Sequence, residues 1–190
     1  MAELTLNAFK NRVRSVARAN RFLLSFQAAP TGVSGFNFSD EMQYHVKSAS
    51  LPNKEIGEIA LSWFGLERKI GGDPVYGDYE ISFINNSDFK IRLMMEQWVD
   101  YIASGVDNER KDDLTYKSII KIDQIGNEDN VIATYYLHGC YPKSISEIGL
   151  ATDSKDTPEE FSVTFAMDLW SNSDSAASGN SILKPAAATT

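Results

Sequence analysis

The stretch that most constrains this chain is residues 135–170, YYLHGCYPKSISEIGLATDSKDTPEEFSVTFAMDLW, in which two runs of alternating residues flank a polar connection. In the second run Phe161, Val163, Phe165, Met167 and Leu169 alternate with Ser162, Thr164, Ala166 and Asp168. A period of two marks a half-buried β-strand with one apolar and one small or polar face. In the first run Tyr135, Leu137, Gly139 and Tyr141 fall on one face, and Tyr136, His138 and Cys140 on the other. Pro142 lacks an N–H donor and is expected to end regular pairing. Asp153, Lys155, Asp156 and Pro158 make the connection a solvated loop. A chain organised around such a pair must find cover for the apolar face of an antiparallel sheet.

The same alternation recurs upstream. Residues 22–27 read as a strand, 28–35 as a loop with Pro30, Gly32 and Gly35, and 38–48 as a second strand. In that second strand Met42, Tyr44 and Val46 are expected inward, Gln43, His45 and Lys47 outward, with Leu51-Pro52 closing it. Over 55–71, Ile59, Leu61 and Trp63 alternate up to Phe64-Gly65, and Leu66, Arg68 and Ile70 continue beyond it, the pattern of a hairpin. Gly71-Gly72-Asp73-Pro74 is expected to end the hairpin, and Tyr79, Ile81 and Phe83 to begin another strand. After Asn85-Asn86 the period changes. Asp88 is placed to cap a helix carrying Ile91, Met94, Met95, Trp98 and Ile102 at three- and four-residue spacing, which stops near Gly105. An acidic loop over 107–113 then leads to a strand over 116–125, which turns at 126–130 into the opening stretch. About seven strands, one body helix and no βαβ rhythm imply a mainly β fold, an antiparallel barrel or sandwich with one flanking helix and a projecting hairpin.

The chain's 190 residues suffice for one domain. We expect a basic arm at residues 1–20, the β domain at 21–170, and a flexible Ser-, Ala- and Gly-rich tail at 171–190. No apolar run approaches the roughly 18 residues of a membrane-spanning helix, so no membrane insertion is expected. The first twenty residues are basic and amphipathic rather than a signal peptide; Leu6, Phe9, Val13 and Val16 fall near helical spacing within 4–18. Cys140 is the single cysteine, which excludes an internal disulfide and fits a reducing compartment.

Charge is unevenly distributed. Residues 1–21 set Lys10, Arg12, Arg14, Arg18 and Arg21 against Glu3 alone, +4, so the total of −8 leaves −12 on residues 22–190. An acidic body argues against a protein that grips phosphates. The basic arm could be a nucleic-acid footprint, but docking of the arm on the acidic body of a neighbouring copy is the preferred reading.

Signals for catalysis are thin. His138 and Cys140 are spaced to share a strand face, where a thiol–imidazole pair is conceivable, yet alternate side chains stand roughly 6 to 7 Å apart and no third residue orients the imidazole. A structural role is preferred for both, and His45 reads as solvated. Asp107, Glu109, Asp112 and Asp113 invite a calcium reading that interleaved Arg110 and Lys111 and the lack of a ligand-spaced loop weaken. No nucleotide-binding, nucleophile-elbow or zinc-protease pattern occurs, and no cofactor, metal site or enzymatic activity is expected. What remains is assembly: a long hairpin with an apolar face has edges that must be paired or covered.

The run HGCYPKSISEIGLATDSKDTPEEFSVTFAMDLW resembles the C-terminal signature of tail tube proteins of contractile-tailed, T-even-like bacteriophages: a Gly-x-x-Pro-x-x-(Ile/Val) strand end, a polar loop and a closing strand ending in an aromatic residue. KSASLPNKEIGEIALSWFGLERKIGGDPVYGDYEISFINN is similar to that family's Leu-Pro element, projecting hairpin with an Arg-Lys-Ile end, and following strand; FKIRLMMEQWVDYI falls where the family has its helix. The match spans about residues 20–170, and order and spacing carry it more than any single motif. Both ends are longer than the family leads one to expect.

The resemblance implies a β-barrel with one helix, six copies per ring, and rings stacked into a hollow tube inside a contractile sheath. Neighbouring sheets would join into one lumen wall and so satisfy the hairpin's edges. The implied partners are further copies of the chain, the tail sheath protein, baseplate and tail terminator proteins, and double-stranded DNA that passes without specific binding. The implied location is the virion's tail, assembled in the host cytoplasm. Ile59, Leu61, Trp63, Phe64, Leu66, Arg68, Ile70, Arg12, Arg14 and Arg18 are the expected subunit-interface residues. Type VI secretion and extracellular injection systems use related rings and form the first alternative; a monomeric β-sandwich binding module of the virion is the second.

Overall fold

Cross-strand pairing of the alternating apolar residues builds the core. A computed structural model describes residues 10, 16–27, 30, 33, 42–104, 109–153, 155 and 157–173. Among them run strands β1 (Phe22–Phe26), β2 (Val46–Ala49), β3 (Glu55–Trp63), β4 (Leu66–Val75), β5 (Tyr79–Ile84), β6 (Ser118–Ile125), β7 (Val131–Ile145), β8 (Glu160–Ala166) and β9 (Leu169–Asn172). Helix α1 spans Lys90–Ile102, and a single helical turn, α2, spans Asp113–Tyr116. Seven strands form one antiparallel sheet in the order β1-β6-β7-β8-β5-β2, with β9 also on β7; β3 and β4 form a separate two-stranded sheet.

Tyr79 pairs with Phe165, Ile81 with Val163 and Phe83 with Phe161, and all six are buried. Ser82 and Ser162 meet on the opposite face through their hydroxyls at 3.1 Å. The alternation in Phe161–Phe165 is therefore realised, but the strand breaks after Ala166. Met167 and Asp168 form a bend, and Leu169 starts β9.

Strand β7 joins the two halves of the sheet. Its first part pairs with β6 and β9, placing Leu137 opposite Ile120 and Trp170. Its last part pairs with β8, placing Ile145 opposite Val163. Between them Gly139 adopts φ +68°, and β7 advances three residues from Leu137 to Cys140 while β6 retreats two from Ile120 to Ser118. This bulge inverts the alternation, so Leu137 and Cys140 both enter the core. Cys140 thus does not share a face with His138. Pro142 also fails to end the pairing: it lies opposite Phe165, and a register shift before Ser144 absorbs its missing donor.

Helix α1 buries Ile91, Met95 and Trp98, with Met94 and Ile102 partly buried beside them. The Trp98 ring packs edge-on to Phe26 at 6.4 Å and against Phe165 at 6.1 Å, and its indole N–H donates to the Tyr116 carbonyl at 2.8 Å. Asp88 does not cap this helix. Phe89 holds the cap position in the left-handed region at φ 53°, and Asp88 pairs with Lys90 at 2.8 Å.

Three further elements depart from the alternation. Met42–His45 is a 3-10 turn rather than strand; Met42 is buried as expected but Tyr44 faces solvent. Residues 113–116 are helical, N-capped by Asp112, so β6 begins only at Ser118. Strand β4 runs through Gly71-Gly72-Asp73-Pro74 to Val75. The amphipathic stretch 4–18, with Arg12 and Arg14, lies outside the described residues except for Lys10 and the exposed, non-helical residues 16–18.

Candidate assembly interface

The hairpin β3–β4 stands apart from the core. Its two strands pack on each other and not to any comparable extent on another described element. Trp63 pairs with Leu66, Leu61 with Arg68 and Ile59 with Ile70, and directly paired residues of an antiparallel ribbon share a face. One face therefore carries Ile59, Ile70, Leu61, Trp63, Leu66 and the Arg68 stem. The other carries Ala60, Ser62, Glu67 and the Glu58–Lys69 ion pair at 2.8 Å. The five apolar residues are all exposed, Trp63 by 75%.

Phe64 and Gly65 form the turn with φ of 47° and 81°, positive at both central positions as in a type I′ turn. Asn, Asp or Gly is favoured at the first of these, and a bulky aromatic is not. Phe64 nonetheless occupies it, 91% exposed, with its ring edge-on to Trp63 at 4.9 Å. A residue that opposes its local turn preference and gains no cover from the described residues points to a further contact. An isolated two-stranded hairpin is marginal in water, and burying side chains of this size contributes about 1.5 to 3 kcal/mol each. Covering this face offers gross stabilisation on the order of 10 kcal/mol per copy before the costs of association.

The root of the hairpin is fixed to the body. Trp170 donates through its indole N–H to the Asn53 carbonyl at 2.8 Å, and the Tyr79 hydroxyl donates to the Ser50 carbonyl. Lys143 pairs with Asp78 at 2.6 Å, and the Lys54 ammonium lies 5.6 Å from the Tyr76 ring centroid. Ile56 and Val75 are exposed beside this root. The register shift between Ile56 and Glu58 takes Ile56 out of the alternation, and Val75 lies beyond the Gly71-Gly72-Asp73-Pro74 run that reads in sequence as the hairpin's end.

Arg18 is not brought to the hairpin. It is exposed, and its carbonyl accepts from the Gln124 side chain at 2.9 Å, while Arg21 donates to Gly126 O and pairs with Asp129 at 3.1 Å. Residues 18–21 are thereby tied to the β6–β7 turn.

The groups considered for catalysis are dispersed. Burial pushes the Cys140 thiol up to about 12, so no thiolate is present near neutral pH. His138, on the other face of β7, lies 3.1 Å from the Ser171 hydroxyl, and burial lowers its pKa. Glu109 is bonded to Lys111 at 2.6 Å, which lowers its pKa, and Asp112 caps α2. No group of three or more His, Cys, Asp or Glu side chains that could hold a metal occurs among the described residues.

Comparison with known proteins is decisive on family. The family model for phage tail tube protein matches residues 17–173. The chain belongs to the phage tail tube protein family. The tail tube protein of Serratia phage KSP90 is 25% identical over 162 residues, spanning 83% of this chain and 90% of that one. The tail tube protein of Enterobacteria phage T4 is 25% identical over 139 residues, spanning 72% and 82%. Among solved structures, a chain from the sheath/tube terminator of an extracellular contractile injection system in its extended state aligns with a TM-score of 0.61 at 14% identity, over 84% of this chain and 98% of that one. That likeness speaks for the fold: antiparallel β-sheet with one flanking helix. Tail tube proteins are structural proteins, and this one is not an enzyme.

Proposed function

We propose that copies of this chain form rings of six, that the rings stack into the inner tube of a contractile tail, and that the tube is a passive conduit through which DNA leaves the virion across the host envelope. The observation that carries the reading is the apolar face of β3–β4 with Phe64 at its tip, which a monomer leaves in water. A second copy is the economical cover, because repetition of one contact builds a ring or a tube. Ile59, Leu61, Trp63, Phe64, Leu66, Arg68 and Ile70 are the interface residues on the hairpin. Arg12, Arg14 and Arg18 are assigned to a basic arm, residues 1–20, that meets the acidic body, 21–170, of a neighbouring copy. The tail, expected over 171–190, reaches adjacent subunits only with the residues beyond β9, because Ser171 and Asn172 are themselves paired with β7.

The tube's partners in this reading are the sheath around it, the baseplate and the tail terminator. DNA is cargo rather than ligand: with −12 on residues 22–190, an acidic wall repels phosphates within about 8 Å at physiological salt and keeps the duplex from adhering. Assembly would take place in the host cytoplasm. The test is Trp63→Asp, with Ile59→Asp beside it. Each variant is expected to remain a folded monomer by circular dichroism and to form no tubes by electron microscopy; tubes of normal length from either would refute the interface.

A further inference from the structure

The hairpin has to be aimed as well as sticky, and two glycines near its base set the aim. Gly57 and Gly72 face each other across β3 and β4, where β3 advances two residues from Ile56 to Glu58 while β4 covers three from Pro74 to Gly71. The backbones are pressed together there. A Cβ on Gly72 would lie 3.1 Å from the Gly57 carbonyl oxygen and 3.2 Å from its carbonyl carbon, and a Cβ on Gly57 would lie 3.3 Å from the Asp73 carbonyl oxygen. These neighbours are backbone, which cannot swing aside as the end of a side chain can. Gly71, one residue away, is different: its Cβ would meet only the Ile56 side chain at 3.6 Å, an ordinary contact.

Below this crossing the root is clamped to the body by Trp170, Tyr79 and Lys143; above it no other described element packs on the ribbon to a comparable extent. The direction of the apolar face is therefore decided at the crossing, since a bulge bends and twists the ribbon that carries it. We infer that Gly57 and Gly72 are positioning residues for assembly: their side-chain-free approach fixes the bend that delivers Trp63, Phe64 and Leu66 to the next copy of the chain. This rests on the hairpin being the subunit contact proposed above.

The experiment compares Gly72→Ala, Gly57→Ala and Gly71→Ala in the full chain, with Trp63→Asp alongside. Tube formation is scored by electron microscopy and sedimentation, and the fold by circular dichroism. Arm direction is read as the distance distribution between spin labels at Ser62→Cys and Gln97→Cys; buried Cys140 does not compete for label. Expected are a shifted label distance and loss of tubes in Gly72→Ala, a smaller shift in Gly57→Ala, and wild-type distance and tubes in Gly71→Ala. Normal tubes from Gly72→Ala, or equal loss from Gly71→Ala, would overturn the inference. If Trp63→Asp abolishes tubes while Gly72→Ala does not, the interface stands and the aiming role falls; normal tubes from Trp63→Asp would remove the interface itself.

Discussion

The carboxylate of Asp168 stands where a side chain on Gly139 would have to go: a Cβ there would lie 2.0 Å from its Oδ2. The Asp168 N–H donates to the His138 carbonyl at 3.0 Å, and its carboxylate takes the Lys117 ammonium at 2.9 Å, so the bend between β8 and β9 is fitted into the bulge of β7. Gly139→Ala combines a positive φ with a clash and is expected to cost about 2 to 4 kcal/mol. Urea unfolding of the two proteins at pH 7 measures it.

Lys117→Met removes the ion pair at that corner together with the longer Lys117–Asp113 pair at 3.5 Å. Its partner Asp168 is more than half exposed, so solvent screening limits the expected loss to about 0.5 to 1 kcal/mol. A loss comparable to that of Gly139→Ala would mean that charge, rather than backbone shape, holds the corner.

These two residues also mark where sequence stopped being informative. The alternation of Phe161–Phe165 and the pairing of Ile59, Leu61 and Trp63 with Ile70, Arg68 and Leu66 could be read directly, because burial or display of one face imposes a period of two. The bulge at Gly139 could not, because one extra residue reverses the faces beyond it, which is why Cys140 appeared to accompany His138. The Gly-Gly-Asp-Pro run resembled a stop, yet β4 continues through it, since among the described residues its outer edge pairs with no other strand and a proline donor is not missed there. Phe89 at the start of α1 had no signal at all, as the left-handed region disfavours it. The apolar face of the hairpin was legible; the fate of Arg18, whose carbonyl is taken by the side chain of Gln124 far along the chain, was not.

Stability should fall steeply in alkali. Burial raises the Cys140 thiol from 9.0 to about 12, so the unfolded chain ionises near pH 9 while the folded one does not. This contribution is whole below pH 9 and is lost as pH rises from 9 towards 12, on the order of 4 kcal/mol at most. The Tyr79 phenol, raised chiefly by burial, acts in the same sense above pH 10, and Lys117, raised chiefly by its bond to Asp168, does so above 10.5. Urea titrations between pH 7 and 11 should show the decline starting near 9, and Cys140→Ala should delay its onset by about one pH unit.

Phe64→Asn exchanges a residue the turn disfavours for one it favours. The monomer is expected to keep its melting temperature within about 2 °C, because Phe64 is 91% exposed with its ring against Trp63. The protein concentration needed for tubes should rise at least about tenfold, the equivalent of 1.4 kcal/mol per contact. Unchanged assembly would leave the aromatic at the tip without a purpose.

Trp98→Ala tests the core instead. The fully buried indole touches Phe26 and Phe165 and satisfies the Tyr116 carbonyl, so truncation should cost about 3 to 5 kcal/mol. Leu93→Ser, on the exposed face of the same helix, should stay within about 0.5 kcal/mol of wild type.

The central claim is that the exposed face of β3–β4 is the contact between copies. Cryo-electron microscopy of the protein assembled at high concentration tests it most directly. The account predicts a tube of uniform bore in which Trp63, Phe64 and Leu66 are buried against a neighbouring copy. A tube whose hairpins remain in solvent, or monomers dispersed at every concentration, would contradict it.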